Sequence, residues 1–393
     1  MSLTKNYAEA VLKLAKLNTA AQQREAVVQG RSLLPYRLRY KTEFYSVKSI
    51  TMKMIGITIG DVAGIGAEII VGAWSGIVRE FGSCAVVFGH AEILRRAVKL
   101  LGVGLEVIEV NDVSECRVVS GNQIPCICCV DDSVLQVLPA SVDANAGEAA
   151  FRSINTAIDA VFAGKIEAVV TAPIHKGSLN LAGHNYPGHT EIFAERCNVS
   201  DYAMMLYLPA GDGICSRDGV AFVHVTLHTA MRNIFEKITI ESVLSRIKLA
   251  DDFMFGMTKQ RPIIGVCSLN PHAGEGGLFG NEEATVINPA IEIARKTGIN
   301  VCDVAPADTI AIAAKDGKYD AVVAMFHDQG HIALKLLGMH RAVNVTLGLP
   351  IIRTSVAHGT AFDKAWKGIA QTGSMLEAFR TAKKLVENKK QTH

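Results

Sequence analysis

Short runs rich in Val and Ile alternate along the chain with stretches whose apolar residues recur every three or four positions. The runs predict strands at Met54–Thr58, Cys84–Phe88, Leu105–Val110, Ala168–Thr171, Ala221–Thr226, Ile263–Val266, Ala321–Met325 and Ala342–Thr346. In Glu148–Phe162 the residues Phe151, Ile154, Ile158, Val161 and Phe162 mark one helix face, and Ile238–Phe253, Glu282–Lys296 and Met375–Glu387 read the same way. Alternation of this kind predicts an α/β fold with a largely parallel sheet and helices on both faces. Ligands in such folds collect beyond the carboxyl ends of strands, so the chemistry is sought there. The body carries no repeat of fixed period and no low-complexity segment.

A length of 393 residues predicts two or three domains. Forty Lys and Arg against 38 Asp and Glu leave a net charge of +2, which excludes a general basic field for nucleic acid. Apolar windows are interrupted every few residues by Gly, Asp or His, so none predicts a membrane span. The charge is unevenly placed: residues 1–50 hold a net of +6, and +2 less +6 leaves −4 for the rest. That basic segment, with an amphipathic pattern at Tyr7–Leu17, reads as an appended leader ahead of Met52 or Met54 rather than a targeting peptide, since Glu9, Glu25 and Glu43 interrupt it. No secretory signal precedes the nine cysteines, which are therefore expected to be reduced, in a cytoplasmic protein. Ile124–Val130, with Cys126, Cys128 and Cys129, reads as a buried strand.

Gly60-Asp-Val-Ala-Gly64-Ile-Gly66-Ala-Glu68 follows a strand and opens a helix. Its glycines allow close backbone approach to an anion, though the spacing is not that of a dinucleotide fingerprint and a tight turn explains it equally well. Histidine carries more. His175, His189, His228, His272, His327, His331 and His358 fall in loops after predicted strands or in Gly-rich segments. Three imidazoles from different strand ends can hold a divalent ion with a position open for substrate, and His228, His272 and His327 are so placed. His224, on a strand, reads as an ordinary hydrogen-bonded histidine. Gly330 argues for a loop across His327-Asp-Gln-Gly-His331 rather than a helical pair. Lys335, Asn344 and Arg353 would suit a phosphate or carboxylate, and the apolar surroundings of Arg353 make an unpaired charge there costly.

Gly60–Glu68, Gly188-His-Thr-Glu191, Val225-Thr-x-His228, Asn270-Pro-His-Ala-Gly-Glu-Gly-Gly277, Pro306-Ala-Asp-Thr309, His327-Asp-Gln-Gly330, Asn344-Val-Thr-Leu-Gly-Leu-Pro350 and Arg353-Thr-Ser-Val-x-His-Gly-Thr-Ala361 occur in this order. Together they resemble the 4-hydroxythreonine-4-phosphate dehydrogenase (PdxA) family from about Met54 onward. The resemblance implies an isocitrate/isopropylmalate-dehydrogenase-like fold, two α/β/α domains around a cleft, in a homodimer whose active sites draw on both chains. Residues 52–150 plus 335–393 would be the cofactor side, 151–334 the metal, substrate and dimerisation side, and 1–51 an extension outside the fold. It also implies NAD-dependent oxidation of a secondary alcohol with decarboxylation, a step of pyridoxal phosphate biosynthesis. One divalent ion, zinc, magnesium or cobalt, would sit on His228, His272 and His327. Substrate would meet His189, Thr190, Lys335, Asn344 and Arg353, and Lys335, Asp308 or Asp328 would handle the proton.

His358-Gly-Thr-Ala-Phe-Asp363 is similar to the adenosine-binding loop of isopropylmalate dehydrogenases, which implies NAD contacts at His358, Gly359, Ala361 and Asp363, with Gly60, Asp61 and Gly64 nearby. An acid at position 363 would repel the extra phosphate of NADP. Ile59, Val62 and Ala67 stand where the family carries prolines, and Ala357 where it carries Asp. His327–Leu337 and Leu227–Arg232 look more like a second branch of the family, which acts on four-carbon sugar acid phosphates such as D-threonate or D-erythronate 4-phosphate. A metal-dependent hydrolase would share the three histidines but not need the His358–Asp363 loop. A catalytically inert binding protein would account for the missing prolines.

Overall fold

The computed structural model describes residues 53–389; the leader and its Tyr7–Leu17 pattern lie outside the described residues. The Val- and Ile-rich runs form strands: β1 (Ile55–Thr58), β2 (Ala85–Gly89), β3 (Glu106–Glu109), β4 (Gln123–Cys128), β5 (Ala168–Thr171) and β6 (Ala203–Leu208). β7 (Val220–His224), β8 (Ile264–Cys267), β9 (Val301–Ala305), β10 (Ala321–Ala324), β11 (Val343–Leu347) and β12 (Ile352–Val356) complete them. All twelve join one sheet in the order β3-β4-β2-β1-β5-β12-β11-β6-β7-β10-β8-β9. All eight predicted strands are present within one or two residues, and β4 coincides with the cysteine run.

Eight of the eleven pairings are parallel, as the alternation predicts; β12 with β11, β11 with β6 and β6 with β7 are antiparallel. The reason is local. Only Gly348–Ile351 separates β11 from β12, too short for a crossover and suited to a hairpin, with Gly348 at φ +84°. Two parallel blocks of opposite direction therefore meet through β11 and β6.

The core shows where the site must lie. On one sheet face, Ile57, Val87, Val170, Met205, Val223, Val343 and Val345 belong to one continuous apolar cluster. On the other face the apolar residues form two separate clusters, one around Val86, Phe88 and Val169, the other around Leu206, Phe222 and Val322. Polar residues of β5, β12, β11 and β7 occupy the gap.

The helices begin where capping chemistry allows. Ala144–Phe162 starts four residues before its predicted beginning because Asp143 accepts from the Asn145 N–H, and its Phe162 faces solvent rather than the core. Ile240–Thr258 opens on a capping box of Thr239 and Ser242. Asn288–Lys296 is preceded by one wide turn, Glu283–Ile287. Gly373–Lys389 closes the fold. All nine cysteines are free thiols, Cys126 buried and Cys128 exposed.

Candidate active site

Register assembles the floor of the site. Ser355 pairs with Thr171 on one side and Asn344 on the other, while Arg353 pairs with Thr346. Directly paired residues share a face, so these side chains form two polar rows between the split apolar clusters. Met205 pairs with Val223, which sets His224 beside Met204 at the far end. Above this floor is a cavity of about 510 Å³ whose lining includes Lys176, His189, Thr190, Glu191, His228 and Asn344.

Arg353 dominates it. The side chain is 1% exposed, yet its guanidinium donates only to two hydroxyls, Thr346 Oγ1 at 3.0 Å and Thr171 Oγ1 at 2.7 Å, and lies over the Phe193 ring. Burial pushes it down to about 9, with Glu191 opposing the fall. Arg353 Nε, His189 Nε2 and Asn344 Oδ1 are buried without partners. Burial, with Arg353 beside it, holds His189 well below its ordinary range and therefore neutral. A buried cation with unsatisfied polar groups around it, Arg353 Nε itself a donor, is arranged for an anion that brings the missing charge.

Burial lowers the titration of Arg353 to about 9, well below that of an unfolded arginine, so above that point the unfolded chain binds more protons and stability rises with pH. Inorganic phosphate, which needs the charged form, is expected to raise the melting temperature at neutral pH and to lose that effect as pH climbs past Arg353's titration. A phosphate shift that persists undiminished at high pH would mean the anion binds elsewhere.

The histidines gather at the edge of the floor. His228 borders both the main cavity and a second one of about 490 Å³, which His327 and Asp328 also line. The His228 and His327 ring centroids are 6.0 Å apart. His327 and His331 are not in a loop: the helix His327–Gly338 starts at His327, so the two lie one turn apart on one helix face. Gly330 is there for close approach, since a Cβ at that position would sit 2.3 Å from His224 Nε2. His224 bonds His331 at 3.1 Å, and burial pushes the two imidazoles down to about 3 and about 4. Burial, then Lys176 and His327, also lowers His228.

His272 is held differently. From His272 to Gly276 the backbone is left-handed at every residue, including the non-glycines His272, Ala273 and Glu275, each costing on the order of 1 kcal/mol. Buried Glu283 maintains the turn by accepting from the backbone N–H groups of Leu269 and Asn270, both at 2.8 Å. The His272 side chain is 67% exposed. Its Nδ1 lies 3.1 Å from Glu275, as His327 Nδ1 lies 2.7 Å from Asp328. Both arrangements leave Nε2 free and aimed by a carboxylate, as metal-binding histidines require. Among the described residues no three His, Cys, Asp or Glu side chains come close enough to hold an ion; the chain brings His228 and His327 together and leaves His272 apart.

The glycine loop and the His358–Asp363 loop touch, with the Ile65 N–H donating to Thr360 O at 3.1 Å. Gly60, at φ +73°, has room only for hydrogen, because a Cβ would meet Pro173 O at 2.3 Å. Asp61 is buried and folds its loop by accepting from the Ala63 N–H; burial raises its pKa, with the nearby Ser178 hydroxyl and the Ala63 N–H opposing. Bonds from Asp61 N to Pro173 O and from Ala140 N to Ala63 O stiffen a loop that carries Ile59, Val62 and Ala67 instead of prolines. Glu68 accepts from the N–H groups of Trp366 and Gly368, tying the two loops a second time. His358 lines the main cavity with Gly359, Ala361 is left-handed, and Asp363 is exposed.

Residues 82–382 match the family described as "Pyridoxal phosphate biosynthetic protein PdxA". The chain belongs to this family. It is 41% identical over 336 residues to the D-threonate 4-phosphate dehydrogenase of Salmonella typhimurium, covering 85% of this chain and 99% of that one. It is 40% identical over 333 residues to the 4-hydroxythreonine-4-phosphate dehydrogenase of Beijerinckia indica, covering 84% and 94%. The solved 4-hydroxythreonine-4-phosphate dehydrogenase of Klebsiella pneumoniae superposes with a TM-score of 0.74 at 39% identity, over 85% of this chain and 99% of that one. As a PdxA-family chain, this protein is an oxidoreductase.

Of the residues singled out in this PdxA sequence, His189, Thr190, Asn344, Arg353, His228, His358 and Gly359 line one cavity. Asp328 lines the adjoining one with His327, whereas Lys335 and Asp308 are exposed on the helices His327–Gly338 and Ala307–Lys315. His175 caps the helix Lys176–Leu181 and stacks on Phe362. Thr171, Lys176, Glu191, His224 and Thr346 were not legible as site residues. Only the polar face of β5 and the His-Thr-Glu run hinted at two of them.

Proposed function

We propose that this protein catalyses the NAD-dependent, divalent-metal-dependent oxidation and decarboxylation of 4-hydroxy-L-threonine 4-phosphate, a step in pyridoxal phosphate biosynthesis. The observation that carries the reading is the cavity in which buried Arg353, held by two hydroxyls, faces the same space as His189, Asn344 and His228. Arg353, Thr171 and Thr346 would receive the phosphate or carboxylate, with neutral His189 donating or accepting as needed. When bound, the ion supplies Lewis acidity at the substrate hydroxyl and the nicotinamide accepts hydride. His228 and His327 would hold that ion, with Asp328 orienting the His327 ring.

His272, Asp308 and Lys335 would complete the site of a second copy in a homodimer. Exposed apolar residues beside each support this: Phe279 at 47% against the His272 ring, Ile312 at 58% one turn from Asp308, and Leu336 at 83% next in the chain to Lys335. Lys335 or Asp308, brought in this way, would take the hydroxyl proton. On this reading residues 52–150 plus 335–393 form the cofactor side and 151–334 the metal, substrate and dimerisation side, with β5 and β12 joining them in one sheet. Exposed Asp363 near the cofactor favours NAD over NADP. No helix among the described residues is long and apolar enough to cross a membrane, and we place the enzyme in the cytoplasm.

A second reading, oxidation of D-threonate or D-erythronate 4-phosphate, is supported for D-threonate 4-phosphate by the names of relatives 41–43% identical to this chain. One experiment separates the two. NADH absorbance is followed with each phosphorylated acid, with and without a chelator. Turnover of 4-phosphohydroxythreonine that stops with chelator is the expected result. Turnover of the sugar acid phosphates alone would replace the first reading with the second, and no NADH with any of them would overturn both.

A further inference from the structure

The function proposed above leaves one buried cluster unused. His331 stacks on His327 with ring centroids 3.8 Å apart and planes 11° apart. Its Nδ1 lies 3.1 Å from Nε2 of His224 on β7, and both residues are almost wholly buried. One ring in that bond must donate and the other accept, so the bond couples the tautomers of the two rings and sets their tilt. His224 is in turn wedged against the helix backbone, where a Cβ on Gly330 would stand 2.3 Å from its Nε2. Strand, helix and both rings are thus locked together, and the exposed end of the stack is His327.

We propose that His331 and His224 are positioning residues that hold the His327 imidazole in the pose its ligand requires. Asp328 fixes the edge of the His327 ring through Nδ1, at 2.7 Å, and His331 fixes its face. With both constrained, Nε2 is delivered in one direction without the ring having to lose rotamer freedom on binding. His224 acts one step further back, through His331. This inference rests on the proposed role of His327, and its test is built so that the two can fail separately.

Two measurements on the purified full-length protein test it. The first is the nitrogen-15 spectrum of histidine-labelled, metal-free protein, in which the His327 signals are those lost in His327→Asn. The second is titration with cobalt or zinc ions against a chromogenic chelator. His331→Ala is expected to move the His327 ring signals and to weaken ion binding about 10- to 100-fold, the range for removing a supporting residue. His331→Phe keeps the flat face against His327 but drops the bond to His224; it is the control for folding and should recover the affinity only in part. Unchanged His327 signals together with unchanged ion affinity in His331→Ala would overturn the proposal. If the wild-type chain takes up no ion while the His327 signals still move in His331→Ala, the positioning pair stands and the metal role of His327 falls.

Discussion

Replacing Arg353 with Met is expected to abolish turnover while leaving the protein at least as stable as the wild type. The guanidinium is shut away from water with two threonine hydroxyls and a phenylalanine ring as partners, and its depressed pKa reflects a charge that folding must desolvate. Removing a buried charge in favour of an apolar side chain of similar length is commonly neutral or stabilising. The substrate, by contrast, loses the one fully desolvated cation in its cavity. A fall in kcat/KM of about 1000-fold or more is expected, equivalent to roughly 4 kcal/mol of transition-state stabilisation. Thermal melting with and without phosphate checks both halves: the wild type should gain stability from the anion and Arg353→Met should not. A variant that melts lower and still responds to phosphate would mean that Arg353 is structural.

Mixing two inactive variants should restore about a quarter of wild-type activity, if sites are shared across a two-fold axis. His272→Asn and His327→Asn each remove one candidate ligand. Asn tolerates the left-handed conformation that His272 adopts, so the first variant should fold without added strain. Each homodimer alone should lose activity about 1000-fold or more, as expected when a ligand in a three-histidine site is removed. In a random mixture half the dimers are mixed, and in each of those one site has both histidines and the other has neither. Activity after mixing that stays at the level of the separate variants would show that His272 and His327 serve the same chain's site, and full activity of His272→Asn alone would show that His272 serves none.

Parts of this architecture are legible residue by residue. Apolar runs such as Ala321–Ala324 and Ala168–Thr171 have no other good use than buried strands, and they became so. β12 was not legible, because Ile-Arg-Thr-Ser-Val carries a cation at its second position and makes a strand only where that cation faces a polar cavity. β6, Ala-Met-Met-Leu-Tyr-Leu, lacks β-branched residues and is apolar enough for either structure. β9 is an edge strand with an exposed Asp303. His327 and His331 were misread as a loop because Gly330 is costly in an isolated helix. In the folded chain that glycine lets the helix come against His224.

The sequence by itself determined the alternation of strands and helices, the family, and the residue types able to meet a phosphate, an ion and a nucleotide. These follow from local periodicity and from motifs short enough to be read in one stretch. The tertiary structure alone decided that Thr171, His224, Asn344, Thr346 and Arg353 share one face, that the core divides on that face, and that His272 stands apart from His228 and His327. Strand register and order are non-local: they are set by pairing between segments up to 180 or so residues apart in the chain. A shift of one residue in any of those pairings would turn Arg353 from the cavity into the continuous apolar core.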